Sequence, residues 1–382
     1  MAFSPGPVLG ARPGRLPGIR LGARPDRAAC PESGSSRSVE TVETVVVSVS
    51  RSGQPNAGPV EHPCYGETAH ARYARLHLAV APRCNVTCAY CDRRVGDCAH
   101  VARPGVTARI LPPSEVPSLV RQVLLAEPRL RVIGVAGPGE PLANPETFEA
   151  LALARETWKQ AILCLSTNGL LLEEKAPELA RLGVRTVSVT VNAVSPAVGA
   201  HIYLEVRPEP APGEQCLVDG ESLASRHPLT GELGAAFLIR RQLTGIRRAV
   251  AVGLTVKVNT VLIPGVNFEG AGPGALETGV AESGARQPGA LETGVARPGR
   301  SEIGLVARAV ARAGASLHNI VPLIPLGAMA DRPRPSCDEL RRARREAAGF
   351  LPQFRLCRQC RADAVGVPGQ EGGPAGHGNP RG

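Results

Sequence analysis

The sequence predicts an α/β fold, a partial or full β/α (TIM-like) barrel, on three observations. Between residues 75 and 325, six apolar β-type runs alternate with amphipathic helical stretches. The runs are nearly continuous in Val, Ile, Leu and Ala, as strands of a parallel sheet covered on both faces are. Polar and sulfur-bearing residues directly follow several runs, at the strand ends where β/α barrels carry their chemistry.

Residues 1–60 are rich in Pro, Gly, Ser and Arg and predict a disordered tail, with room for one short strand at VETVVVSVS. The Arg-rich start imitates an organellar transit peptide, but it lacks a helical apolar period and reads as part of that tail. The barrel is expected over 61–330. Its strands are RLHLAVA (75–81), RVIGVAG (131–137), AILCLST (161–167), RTVSVTV (185–191), LTVKVNTVLI (254–263) and SLHNIVPL (316–323). Helices are expected at 113–127, 146–158, 173–182, 234–250 and 301–313. Two segments interrupt this rhythm. Residues 204–232 are polar and Pro/Gly-rich, and 270–300 carry PGALETGVA twice, at 273–281 and 288–296. Two copies are too few for a solenoid, so the second segment reads as a duplicated surface loop. A C-terminal helix and a CxxC segment are expected over 331–367, and a disordered tail over 368–382.

The chain has 382 residues, a formal net charge of +10 and 43% hydrophobic residues, in keeping with a soluble globular core. No run approaches the roughly 20 apolar residues of a membrane span, so no membrane association is expected. Lysine occurs only at 159, 175 and 257, and aromatics make up 3%. The basic balance is thus scattered arginine, which argues against a nucleic-acid surface. Cysteines number eleven, an odd count with tight local gaps and no secretory apolar segment. That pattern reads as metal binding in a reducing, cytoplasmic setting rather than as a disulfide framework.

Three of the cysteines, Cys84, Cys88 and Cys91, lie in RCNVTCAYC just after the first strand. A zinc knuckle would need a fourth nearby ligand. Three thiolates on a [4Fe–4S] cluster instead leave one iron open to a non-protein ligand. The GVAGPGEPLAN stretch ends the second strand, where Gly137 and Gly139 let the backbone approach a ligand and Glu140 offers a carboxylate. Ser166, Thr167 and Asn168 end the third strand, and Asn192 and Asn259 fall at later ones. Each polar residue alone is as readily a turn or cap; together they line one end of the predicted barrel.

With Tyr90 before its last cysteine, the CxxxCxxC loop resembles the radical S-adenosylmethionine (SAM) superfamily. The resemblance implies that Cys84, Cys88 and Cys91 hold a [4Fe–4S] cluster whose open iron chelates SAM. An electron from that cluster would cleave SAM to a 5′-deoxyadenosyl radical. Gly137, Gly139, Glu140, Ser166, Thr167, Asn168, Asn192 and Asn259 would contact SAM.

A more specific resemblance spans about 61–367. HPCY, HLAVAPRCNVTCAYC, ARPGV, AGPGEPLAN, LCLSTNGL, GAHIY, KVNTVLIPGVN, LHNIVPLI and CRQCRADAVG follow one another as in the NifB family, which serves nitrogenase iron–molybdenum cofactor biosynthesis. That resemblance implies two further [4Fe–4S] units as substrate, fused into an eight-iron core around a SAM-derived carbide. Cys64, His77 and Cys164 would hold one unit, and Cys98, Cys357 and Cys360 the other. On residue type alone, His77 reads equally as an internal barrel histidine and Cys164 as a buried core cysteine. Implied partners are Fe–S cluster donor proteins, a cofactor carrier or scaffold, nitrogenase assembly proteins, and a ferredoxin or flavodoxin reductant.

The chain departs from that family in places. The gap from Cys91 to Cys98 is one residue longer, and His100-Val101 stand where the family has Asn-Glu, removing a carboxylate. The insertions at 204–232 and 270–300 are foreign to the family, and Cys30, Cys216 and Cys337 have no role on this reading. The resemblance stops at the CxxC segment, so no fused carrier domain is expected. Competing readings are another radical SAM enzyme with auxiliary clusters, a weakly active paralogue, and a non-catalytic Fe–S scaffold.

Overall fold

The computed structural model describes residues 61–96, 101–208, 228–268 and 301–370, and the backbone alone at 217–218 and 221–222. The predicted tail at 1–60, the duplicated segment at 270–300 and most of the tail after 368 lie outside the described residues, as do Cys30, Cys98, His100 and Cys216.

Six strands follow one another along the chain and across the sheet: β1 (Ala74–His77), β2 (Leu130–Val135), β3 (Ile162–Thr167), β4 (Val184–Thr190), β5 (Thr255–Leu262) and β6 (Leu317–Pro322). All five of these pairings are parallel. The sheet order is β6-β5-β4-β3-β2-β1, which a curled half-barrel gives when every crossover returns to the next strand. A two-residue strand, β7 (Val365–Gly366), adds antiparallel to β1. Each predicted strand thus forms, five of them within two residues at either end, while β1 stops at His77, four residues short of its predicted end.

Eight helices are described among these residues. They are α1 (Glu67–Arg72), α2 (Val116–Ala126), α3 (Pro145–Thr157), α4 (Leu172–Arg181), α5 (Pro196–Ala200), α6 (Gly231–Ala251), α7 (Glu302–Arg312) and α8 (Cys337–Ala348). Their starts follow from local chemistry. Pro145 opens α3, where a missing N–H costs nothing. The Ser301 side chain caps α7, and Ser336 with Glu339 forms a capping box on α8. Cys337, just inside that box, is disulfide-bonded.

The two sheet faces differ. Leu163, Leu165, Val187, Val189, Val256 and Val258 point outward into the main core beneath the helices. Each contributes about 1.5–3 kcal/mol relative to exposure. The residues between them, Cys164, Ser166, Thr186, Ser188, Lys257 and Asn259, face the concave side. This is a departure from a closed barrel packed with apolar layers: the interior is a polar cleft.

The C-terminal segment bridges the gap between the first and last parallel strands. Its Phe354 N–H donates to the His318 carbonyl of β6 (2.7 Å) and the His318 N–H to the Pro352 carbonyl (2.9 Å). Twelve residues after Pro352 the chain reaches the opposite edge, where the Ala364 carbonyl accepts from the His77 N–H of β1 (2.9 Å). Cys357 and Cys360 lie on the stretch that crosses the seam.

Candidate active site

The upper tier of the cleft is the cysteine loop. Val86–Cys88 pairs antiparallel with Tyr203–Val206, and the Ala89 N–H donates to the Ile202 carbonyl (2.9 Å). Cys84 Sγ donates to the Val86 carbonyl (3.3 Å), and the Cys91 N–H to the Cys88 carbonyl (3.1 Å). Tyr90 turns into the core, where its hydroxyl accepts from Asn192 Nδ2 (2.9 Å). Asn192 is wholly buried, and its Oδ1 accepts from the Val261 N–H (2.9 Å). The Asn192 side chain is therefore spent on holding the loop to β5. Burial raises the Cys84, Cys88 and Cys91 thiols, most strongly Cys88; Glu140 adds to the rise at Cys84, and Arg93 opposes it at all three.

Beside this loop runs the Gly-rich turn after β2. The Gly139 N–H donates to the Ala81 carbonyl (2.6 Å) and the Glu140 N–H to the Arg83 carbonyl (2.8 Å). A Cβ on Gly139 would fall 2.1 Å from that Arg83 oxygen, so only glycine permits the approach. Gly137 has φ +122°, a second position that a side chain strains. Glu140 is buried, and its carboxylate accepts from Thr167 Oγ1 (2.5 Å), the Asn168 N–H (2.6 Å) and the Leu142 N–H (3.0 Å). Burial nevertheless lifts its pKa to about 7 against the pull of those donors. Asn168 Nδ2 reaches Asn85 Oδ1 of the cysteine loop (2.8 Å). Glu140, Thr167 and Asn168 thus form one network at the mouth. Ser166 lies one register step deeper and opposite Ser188, and Asn259 accepts from Asn319 Nδ2 on β6 (2.8 Å).

The lower tier lies deeper along the same cleft. His77, Gly134 and Cys164 stand in one register row across β1, β2 and β3. His77 Nδ1 meets the Arg361 carbonyl (3.0 Å). A carbonyl only accepts, so Nδ1 carries the hydrogen and Nε2 the lone pair in neutral His77, the form that binds metal. The HPCY turn enters from below. Tyr65 Oη donates to the Val187 carbonyl of β4 (3.0 Å), and the Cys64 carbonyl accepts from Lys257 Nζ of β5 (3.0 Å). Cys64 adds to the rise at the Cys164 thiol, and Cys357 to that at Cys64. Burial raises both Cys64 and Cys164, the latter to about 12, while Lys257 pulls both down.

The seam segment is pinned from several sides. Arg75 Nη2 donates to Cys360 Sγ (2.9 Å), and Gln359 Nε2 to the Pro322 carbonyl (3.0 Å). Arg361 pairs with Asp363 (2.7 Å) and also donates to the Val101 carbonyl (2.7 Å). Burial pushes Asp363 upward, but Arg361, the Ala108 N–H and Thr107 outweigh it and hold the carboxyl below its ordinary value.

The cleft therefore collects Cys84, Cys88, Cys91 and Glu140 at its mouth, and Cys64, His77, Cys164 and Cys357 below. Cys360 joins through Arg75, while Cys98 lies outside the described residues. Sequence reasoning passed over Gly134, Lys257, His62, Arg75 and Gly327. Gly327 follows β6 with φ +57°, and a Cβ there would come within 2.8 Å of the Ala89 carbonyl and 3.0 Å of that of Cys91. A glycine inside a strand pattern, as in RVIGVAG, was the available signal for Gly134.

The comparisons agree with this geometry. The family model described as Radical SAM superfamily matches residues 78–271. The FeMo cofactor biosynthesis protein NifB of Methanocaldococcus infernus is 36% identical over 308 residues, covering 80% of this chain and 85% of that protein. The chain belongs to the NifB family of radical SAM enzymes. NifB of Methanocaldococcus jannaschii is 38% identical over 306 residues, 80% of this chain and 86% of that protein. NifB of Azotobacter vinelandii is 38% identical over 320 residues, but the chain covers only 54% of that longer relative. Membership in the radical SAM superfamily implies a [4Fe–4S] cluster and SAM.

The residues fit that pair. Among the described residues no three His, Cys, Asp or Glu side chains converge to hold a single ion, as a mononuclear zinc site requires. Three neighbouring thiols on a partly exposed loop, with Cys91 raising both Cys84 and Cys88, suit a cluster, which takes each thiolate on a different iron. No described helix is long and apolar enough to cross a membrane.

Proposed function

We propose that this NifB-family enzyme makes the eight-iron precursor of the nitrogenase FeMo cofactor, fusing two [4Fe–4S] substrate units around a SAM-derived carbide. The observation that carries the reading is the stacking of two sulfur-bearing tiers in one polar cleft, with Cys84, Cys88 and Cys91 above and Cys64, His77 and Cys164 below. When bound at the upper tier, the cluster supplies the electron that cleaves SAM. Glu140, held by Thr167, Asn168 and Leu142 beside the cysteine loop, is the anionic partner for the SAM ammonium. Ser166, Thr167 and Asn168 orient the rest of SAM, with Gly137 and Gly139 admitting it close to the backbone. Asn259 adds a contact from β5, and Asn192 acts by fixing Tyr90.

The lower tier holds one substrate unit on Cys64, His77 and Cys164. The second unit sits on Cys357, Cys360 and Cys98. Mixed thiolate and imidazole ligands suit a unit that must leave, because the neutral imidazole is the weaker donor. Cluster donor proteins supply both units, a ferredoxin or flavodoxin supplies electrons, and a carrier or scaffold accepts the product in the cytoplasm.

Anaerobic reconstitution with iron, sulfide and SAM tests this reading. The loaded chain should carry about twelve irons, as three four-iron units require, and its product should activate cofactor-free nitrogenase. A chain that cleaves SAM, binds about four irons and activates nothing would be a different radical SAM enzyme.

A further inference from the structure

We infer that Lys257 is the counter-cation for the iron–sulfur unit bound at Cys64, His77 and Cys164, an inference that rests on the function proposed above. Lys257 projects from β5 into the cleft and is 4% exposed. Its ammonium donates to the Cys64 carbonyl (3.0 Å) and lies 4.9 Å from the Tyr65 ring centroid and 5.4 Å from that of Phe354. Among the described residues no carboxylate pairs with it. A buried ammonium without an anion is costly, and one carbonyl and two ring faces offset only part of that cost. The missing negative charge has to arrive with a ligand.

The surroundings say which kind. The acidic groups that Lys257 acts on are the Cys64 and Cys164 thiols, and it also disfavours protonation of the His62 and His70 imidazoles. Arg75, a second buried cation, donates to Cys360 Sγ (2.9 Å) on the same side of the cleft. The lower tier is therefore electropositive until its thiols are thiolates. Thiolates bound to iron carry the negative charge of an iron–sulfur unit, and reduction adds to it.

Two independent observations point the same way. His62 Nδ1 accepts from the Cys64 N–H (3.1 Å), so neutral His62 bears its hydrogen on Nε2. That Nε2 is buried and has no hydrogen-bond partner, a donor that a thiolate or sulfide would satisfy. The second observation is compositional. Lysine fills only three of the chain's 44 Lys and Arg positions, at 159, 175 and 257.

The test uses the full chain with Lys257→Gln and Lys257→Met, and Cys64→Ala as reference. Lys257→Gln keeps a donor and removes the charge; Lys257→Met removes both. In the iron-free protein, both Lys257 variants should unfold at the same or a higher temperature than the parent, because an unpaired buried charge has gone. After anaerobic reconstitution both should bind about four fewer irons per chain, as Cys64→Ala does, or hold the unit at a more negative midpoint potential. Unchanged iron and potential in both, with Cys64→Ala still losing its irons, would overturn the role of Lys257 and leave the site standing. A lower unfolding temperature in both iron-free variants would also overturn it, since Lys257 would then serve the fold. Parent-level iron in Cys64→Ala would remove the site itself, and the inference with it.

Discussion

The Cys164 thiol lies so close over Gly134 of the neighbouring strand that a Cβ on Gly134 would fall 2.6 Å from Sγ. The same Cβ would stand 3.8 Å from His77 Cδ2 on the other side. Gly134 therefore keeps open the slot between two proposed ligands of the lower tier. Gly134→Ala should push Cys164 aside at an overpacking cost of about 1–3 kcal/mol. We expect about four irons to be lost per chain while SAM is still cleaved at the upper tier. Iron analysis and a 5′-deoxyadenosine assay on the same sample check this. Full iron content would mean that Cys164 does not need this slot.

Cys88 is the central thiol of the upper loop, raised by burial and by its neighbours Cys91 and Cys84. Three thiolates with no fourth protein ligand leave the cluster no substitute. Cys88→Ala should therefore abolish 5′-deoxyadenosine formation, while iron bound at Cys64, His77 and Cys164 remains. Parent-level SAM cleavage in this variant would refute the assignment of the loop.

The six parallel strands were legible because each is an apolar run of the right length with helical pattern between, and the cysteine loop because its spacing is unusual. The polar inner face was harder to read. Lys257 and Asn259 sit in a run whose outward Val256 and Val258 dominate its hydropathy, and only the period of two separates the faces. Closure across the seam by Phe354 and Ala364 was not legible, since two-residue pairings leave no sequence period. Gly134 and Gly327 each act on a residue far off in sequence, so nothing local marks them beyond being glycine. Cys64 meets Cys164 only because the HPCY turn enters the cleft from below, which its own composition does not dictate.

Glu140 makes stability depend on pH in an unusual direction. Its folded pKa of about 7 lies above the ordinary 4.5, with burial the cause. Between those values the folded chain binds more protons than the unfolded chain, so stability falls as pH rises from about 4.5 to about 7 and then levels. The full span corresponds to about 3 kcal/mol at 1.36 kcal/mol per unit. Glu140→Gln should remove this component, so the parent-minus-variant difference in unfolding free energy should shrink by about that amount over the same range. Urea unfolding of the iron-free proteins at several pH values measures it. A difference independent of pH would mean that Glu140 ionises normally.

Position 101 offers the last test. Arg361 Nη1 donates to the Val101 carbonyl (2.7 Å), which ties this residue to the segment bearing Cys357 and Cys360. The resemblance implies a glutamate here, three residues after Cys98 of the proposed second-unit set, and the valine in its place has no lone pair to offer iron. Val101→Glu should therefore raise iron per chain after reconstitution and raise the yield of product that activates cofactor-free nitrogenase. Arg361 already pairs with Asp363 (2.7 Å), so a new carboxylate does not have to neutralise it and remains available to iron. His100→Ala gives the complementary reading. If the neighbouring imidazole serves as ligand in place of the carboxylate, His100→Ala lowers iron content while SAM cleavage at Cys84, Cys88 and Cys91 continues. Combining the two substitutions should then restore the iron that His100→Ala removes. Iron and product unchanged in all three proteins would exclude both residues from the ligand set.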